Sequence, residues 1–220
     1  MPLLVHGEIT DPSVDIFDRE AVFIDQVLDP LSRRFSDLKI VFEHISTSSS
    51  VEFVLASSDH VAATITAHHL IINRNAMFEN GIRPHFYCLP VAKTKHDQIM
   101  LRKAATSGSA KFFLGTDSAP HTAEAKESSC GCAGIFTAAN ALELYLQVFD
   151  EENALSNFEA FASINGPSFY NMPKNKGVIK FHRKMNRVQD KIYISKDEYV
   201  TPFLAGSDLN WSIAETEIDA

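Results

Sequence analysis

The apolar positions along the chain follow two rhythms. Short apolar runs, LLV from Leu3, LKIVFEH from Leu38, VAATIT from Val61 and FFL from Phe112, read as buried strands. Between the first two, Phe17, Ala21, Ile24, Leu28, Leu31 and Phe35 recur at spacings of four and three. That stripe predicts a helix over residues 15–35, opened by Asp15 or Asp18 and kinked or divided at Pro30. A polar loop at 46–50 and a short helix at 51–56 follow the second strand. After the third come His68 and His69, a long irregular segment, and an extended run at 85–90 stopped by Pro90. Further helices are predicted at 97–107, 138–149 and 154–164, the last stopped by Asn165-Gly166-Pro167. Residues 178–181 and 191–195 read as two strands of one small peripheral sheet, and the acidic tail from 214 is expected to fray. Strands alternating with helices argue for a parallel sheet with helical crossovers.

Composition narrows the class. Of 220 residues, 45% are hydrophobic and 22% charged, which fits a folded domain rather than a disordered chain. A net charge of -8 disfavours nucleic acid and anionic membranes as partners. No apolar run is long enough to span a bilayer, and MPLLVHGEITD lacks the features of a signal peptide. Three cysteines give no disulfide framework, so a reducing, cytoplasmic location is expected.

The chemistry gathers where strands end. LLV ends in His6, IVF in Glu43-His44, and FFL in Gly115-Thr116-Asp117, with His121 close behind. In a parallel α/β architecture the C-terminal strand ends face one side, so these groups can converge. Two imidazoles and a carboxylate suit a borderline cation such as zinc. The competing reading makes Asp117 a turn cap and each histidine a core hydrogen-bonding group. The adjacent pair His68-His69 is expected to point two ways and not to act as a ligand pair. Cys130-x-Cys132 with Cys88 is poor metal spacing and suits a tight turn. His60, His85, His96 and His182 have no partner at ligand spacing, Ser48-Ser49-Ser50 is no nucleophile motif, and the 16 Phe are core material.

The blocks LLVHGE, FEHI, HFYCLP, FLGTDSAPH and KESSCGCAG, then FEAF, NGPSFY and PFLAG, resemble in order and spacing those of bacterial dihydroorotase, in the amidohydrolase superfamily. The likeness extends to about Trp211. It implies a (β/α)₈ barrel with two zinc ions and reversible cyclisation of N-carbamoyl-L-aspartate to dihydroorotate in pyrimidine synthesis. By that resemblance His6 and His44 hold the more exposed zinc. Asp117 binds the other zinc and acts as general base. Leu89 and Ala133 meet the substrate ring through their backbones, and His121 helps hold its carboxylate. The KESSCGCAG and HFYCLP blocks favour this family over a hydantoinase-like hydrolase of another cyclic amide.

The family's His-x-His and its carboxylated lysine have no counterpart in these residues. The expected fold is therefore α/β, about strands five to eight of a (β/α)₈ TIM-type barrel with a small C-terminal extension. Residues 1–213 form the partial barrel domain and 214–220 the tail. Such an open half-barrel is expected to expose two strand edges and one side of its core, and to dimerise or pair with an N-terminal half. A non-catalytic remnant or partner-binding module is the rival expectation.

Overall fold

The computed structural model describes residues 1–217. Four strands, β1 (Leu3–His6), β2 (Ile40–Glu43), β3 (Val61–Ile65) and β4 (Phe112–Leu114), form one parallel sheet in sequential order. Leu3 pairs with Ile40, Ile40 with Val61 and Ala63 with Phe112, which brings all four C-terminal ends to one side. This is the parallel α/β fold that the apolar runs predict.

The helices supply the outer layer. The first crossover is continuous but built of three pieces: α1 (Arg19–Phe23), a π-helical turn (Ile24–Leu28) and α2 (Asp29–Arg34). Ile24 and Leu28 are buried as the stripe predicts, but Phe35 is exposed and the helix starts at 19 rather than 15. Asp15 accepts from the Phe17 amide, and Asp18 at the cap makes no side-chain bond. The next helices are α3 (Ser48–Ala56), α4 (Ala67–Ile71), α5 (Lys95–Thr106), α6 (Ala123–Lys126) and α7 (Ala141–Glu151). The polar loop expected at 46–50 is largely the first turn of α3, because Thr47 caps it and accepts from the Ser50 amide. The run expected to be extended at 85–90 begins inside a turn and is extended at Tyr87. Pro84–Phe86 is a 3₁₀ turn.

The stop expected at Asn165-Gly166-Pro167 is overturned. A π-helical turn over Ala160–Ile164 runs straight into α8 (Asn165–Tyr170), and Asn171 in the left-handed region ends it. Both helices that carry a proline, Pro30 and Pro167, place a π turn just before it. The widened turn shifts the ladder where proline offers no N–H. Asn165 does not break the helix. Its side-chain amide donates to the carbonyls of Ser109 and Phe112 at 3.1 and 3.0 Å, fastening α8 to the start of β4.

The main core lies between the outer face of the sheet and the helices, with Ile40, Phe42, Ala63, Ile65 and Phe112 meeting Val54, Leu101, Tyr145 and Phe149. On the inner face Val41, Ala62 and Phe113 are also buried, covered by Phe169 and Tyr170 of α8. The expectation that one side of the core is open is thus corrected for these positions, while Leu4 on β1 stays 47% exposed.

Beyond α8 the chain forms three separate antiparallel ribbons from β5 (Val178–His182), β6 (Asn186–Arg187), β7 (Ile192–Tyr193), β8 (Tyr199–Val200), β9 (Asp208–Leu209) and β10 (Ser212–Glu217). The single peripheral sheet is corrected: β5 pairs with β10, β6 with β9 and β7 with β8. The start of the expected frayed tail is strand, since Glu215, Thr216 and Glu217 pair with Lys180, Ile179 and Val178. Residues 218–220 of that tail lie outside the described residues.

One buried carboxylate ties this frame together. Glu20 on α1 is fully buried and accepts from the Ser46 and Thr47 amides at 2.9–3.0 Å and from the hydroxyls of Ser46, Thr47 and Ser50. Burial alone pushes Glu20 up, but Lys93 and the three hydroxyls outweigh it and hold the carboxyl below its ordinary value. Glu20→Gln removes one of the two buried carboxylates that offset Lys93, leaving only Glu8 4.0 Å away, and unmatches the cage of amides and hydroxyls, so urea melts should show a loss of about 3–5 kcal/mol. The group's folded pKa is depressed, so its contribution is complete above the unfolded value of 4.5 and vanishes as pH falls through the lower folded value. The variant should therefore show a shallower acid dependence of stability than the parent.

Candidate functional site

Three strands deliver the site as the alternation predicts. His6 ends β1, His44 follows β2, and Asp117 lies two residues past the Gly115 that follows β4. His44 and Asp117 both sit in the left-handed region, at φ of 42° and 41°. Non-glycine residues held there are uncommon and gather at functional sites. The surroundings impose it. The His44 amide donates to the Thr64 hydroxyl at 2.7 Å, and a Cβ at Gly115 would lie 2.5 Å from the Thr64 Cβ. Gly115 lets β4 close on β3, and two residues on, Asp117 lies near enough for its charge to act on both imidazoles. Tyr145 of α7 fixes both strand ends, its hydroxyl donating to the Ile65 and Gly115 carbonyls at 2.8 and 3.1 Å.

The imidazoles are in contact. His6 Nδ1 lies 3.2 Å from His44 Nε2, and His6 Nε2 lies 3.1 Å from Glu8 Oε2. The Glu8 hydrogen bond raises His6 against the opposing effect of burial, and burial lowers His44 against the pull of Asp117. Partial desolvation raises the Asp117 carboxyl, and His44 and His6 pull it back. With His6 neutral, Nε2–H goes to Glu8, Nδ1 accepts from His44 Nε2–H, and His44 Nδ1 keeps a bare lone pair. That nitrogen is buried and has no hydrogen-bond partner among the described residues. An unpaired imidazole lone pair, a second imidazole and a carboxylate form a donor set that fits a borderline cation.

Outside this triplet the structure adds groups that sequence reasoning passed over. Glu8 orients His6, and buried Lys93 lies 4.0 Å from the other Glu8 oxygen. Lys93 also donates to the Ser46 hydroxyl at 3.1 Å, joining Glu8 to the Glu20 cage. The signal for Glu8 was present in LLVHGE, an acid two residues beyond a strand-end histidine. Nothing in the sequence marks Lys93 or Glu20, which look like ordinary surface charges.

The remaining candidate residues sit on two loops that the fold joins. His121 Nε2 lies 3.2 Å from the Ala133 carbonyl. The Gly134 amide donates to the Tyr87 carbonyl at 3.0 Å, which brings the loop of Leu89 against that of Ala133. A Cβ at Gly134 would meet His121 at 2.9 Å, so only glycine fits. Lys126 locks the junction: its buried ammonium donates to the carbonyls of Tyr87, Cys132 and Gly134 at 2.8, 2.7 and 2.9 Å. Burial lowers the Lys126 pKa. Cys130 and Cys132 bring their sulfurs within 3.9 Å at this turn, away from the buried Cys88, which sits near His69. His85 has a partner after all, Glu127 at 3.0 Å, and His60 bonds the Ser36 carbonyl. Against expectation, His68 and His69 do not diverge: with Cys88 they form a compact group whose ligand atoms lie within 4.8 Å. No helix among the described residues is long and apolar enough to cross a membrane.

A profile of the Amidohydrolase family matches residues 1–184. The chain is similar to a dihydroorotase of Leptothrix cholodnii, 54% identical over 213 residues that cover 97% of this chain and 62% of that protein. One from Sphingopyxis alaskensis is 57% identical, over 97% of this chain and 61% of the relative. The chain thus spans about three fifths of the length of these relatives. Among solved structures, a Saccharomyces cerevisiae dihydroorotase in complex with 5-fluoroorotic acid superposes with a TM-score of 0.90 at 33% identity, covering 100% of this chain and 64% of that one. A D-hydantoinase from Thermus sp. shares only the fold, at 12% identity and a TM-score of 0.66 over 92% of this chain and 46% of its own.

Two outcomes follow for these contacts. Lys126→Met strips the Cys132 and Gly134 carbonyls of their donor and leaves the Tyr87 carbonyl with the Gly134 amide alone, so the protein should lose about 2–4 kcal/mol, and hydrogen exchange at the Gly134 amide should accelerate. Glu8→Gln removes the group that raises His6, so an imidazole titration followed by NMR on metal-free protein should move to lower pH. In the parent the His6–Glu8 pair contributes fully below the ordinary value of 6.5 and fades as pH rises through the higher folded value.

Proposed function

The chain belongs to the amidohydrolase family and is a hydrolase by family, and on that premise we propose that it carries the strand-end portion of a dihydroorotase site. The reaction is the reversible closure of N-carbamoyl-L-aspartate to dihydroorotate in de novo pyrimidine synthesis. The observation that carries the reading is the contact of His6 with His44 at the ends of β1 and β2, with Asp117, beyond β4 of the same sheet, near enough for its charge to act on both. The identity to curated dihydroorotases supports the choice of substrate.

His6, His44 and Asp117 would hold zinc, of which a complete site in the family takes two. Bound zinc supplies a Lewis acid that polarises a carbonyl and acidifies water. The chain's own groups do the rest. In the hydrolytic direction a water oxygen adds to the ring amide carbon and the carbon–nitrogen bond breaks. Asp117 takes the water's proton and returns it to the departing nitrogen. Backbone groups of Leu89 and Ala133 would meet the ring, and His121 its carboxylate, with Lys126 holding their two loops in register.

β1 and β4 each have a single neighbour in the sheet, and such edges support pairing with a second copy or with a segment supplying further strands. A reducing, cytoplasmic setting accords with three free cysteines. The single-neighbour edges of β1 and β4 also suit a second reading, a non-catalytic partner-binding module of the same family.

Zinc content and dihydroorotate hydrolysis should be measured on the chain alone and with the N-terminal segment of a relative supplied in trans. Turnover upon complementation is the expected result, and a soluble, stoichiometric but inactive complex would favour the partner-binding module. In the active preparation Asp117→Asn should lower kcat about 10²–10⁴-fold while some zinc is retained. A rate close to the parent's would remove Asp117 from the reaction.

A further inference from the structure

We infer that His68, His69 and Cys88 form a second cation site, for a borderline ion such as Zn²⁺, with the Pro90 carbonyl oxygen as a fourth ligand. All three side chains are buried, and their ligand atoms lie within 4.8 Å of one another. His68 carries the argument. It is 0% exposed, and neither ring nitrogen has a hydrogen-bond partner among the described residues. Buried polar groups are nearly always paired, and an imidazole with both nitrogens unpaired in a compact His-His-Cys group calls for a ligand. Burial holds His68 neutral, so one of its nitrogens offers a lone pair.

The neighbouring bonds are ready to exchange protons for an ion. His69 Nε2 lies 2.9 Å and Cys88 Sγ 3.2 Å from the Pro90 carbonyl oxygen, so two protons now face that oxygen. A cation at this point replaces both. The Cys88 thiol proton leaves to solvent. The His69 proton moves from Nε2 to Nδ1, where it is donated to the Thr66 hydroxyl 2.7 Å away. That is the outer-shell bond typical of a ligating histidine. The Pro90 oxygen, relieved of two donors, turns its lone pairs to the ion. One thiolate, two imidazoles and a carbonyl make a four-coordinate set that suits zinc. The sulfur separates this site from His6, His44 and Asp117, which offer none.

The test uses the full chain with Cys130→Ser and Cys132→Ser, stripped by a chelator and titrated with Co²⁺. Without metal the Cys88 thiol, pushed up to about 12 by burial, is protonated, so a thiolate-to-cobalt charge-transfer band in the near ultraviolet reports ligation by Cys88. A saturable band is expected, with proton release that follows the Co²⁺ added. Cys88→Ser should abolish the band, and His68→Gln should weaken Co²⁺ binding about 10–100-fold while the melting temperature of the metal-free chain holds. Absence of the band in the Cys130→Ser/Cys132→Ser chain overturns the proposal, as does a band that survives Cys88→Ser. Should Cys88→Ser not fold, His68→Gln decides alone, because the His68 imidazole makes no hydrogen bond among the described residues whose loss could unfold the chain. Unchanged Co²⁺ affinity in that variant overturns the site.

Discussion

The structure depends on keeping a charge where charges do not belong. Glu20 faces the core from the first helix and is dry. A lone carboxylate there would unfold the chain or take up a proton. It stays ionised because Ser46 and Thr47 turn their amides onto it, Ser46, Thr47 and Ser50 their hydroxyls, and Lys93 supplies positive charge. Those residues are the turn that follows His44. The cage therefore sets the path of the chain between β2 and α3, and with it the position of one imidazole. Lys93 reaches from the same cage toward Glu8, whose other oxygen orients the second imidazole. Both histidines at the strand ends are aimed by one buried network.

The far side of the site is built by the same logic with the opposite charge. Lys126 is an ammonium wrapped by three backbone carbonyls, with no carboxylate among its hydrogen-bond partners. It holds the loop of Leu89 against that of Ala133. The rigid strands carry the groups that need exact direction, and the loops, each pinned by one buried ion, carry the backbone groups that would meet a substrate.

How far the chain could be read follows from what each residue type signals. The four strands were legible because a strand buried on both faces leaves an apolar run, and their histidine and aspartate endings stood out against it. The placement of His6, His44 and Asp117 at or just past strand ends was legible for the same reason. Glu20 and Lys93 were not, since a buried ion pair looks in sequence like two surface charges. The serine run at 46–50 reads as a loop until its acceptor is known. His68 and His69 were misjudged from spacing: adjacent residues on one helical turn diverge, but the closeness of Cys88, nineteen and more positions on, is a tertiary fact. The pairing of β7 with β8 was hidden because two-residue strands have no period to read, and that of β5 with β10 because the partner lies thirty residues on in a segment whose charges read as a tail. Asn165-Gly166-Pro167 looked like a stop because local propensity ignores the π turn that precedes it.

Those π turns have a consequence for how the chain tolerates insertion and loss. A π turn is an α-helix with one residue too many. Deleting a residue within Ile24–Leu28 would restore a regular helix, yet every side chain beyond would rotate by about 100° around the axis. Leu31 would leave the core, and Pro30 would meet a regular turn whose carbonyl it cannot serve. The same holds for Ala160–Ile164 and the aromatic pair that roofs the inner sheet. In these two helices the number of residues is fixed as firmly as the identity of Glu20 or Asn165.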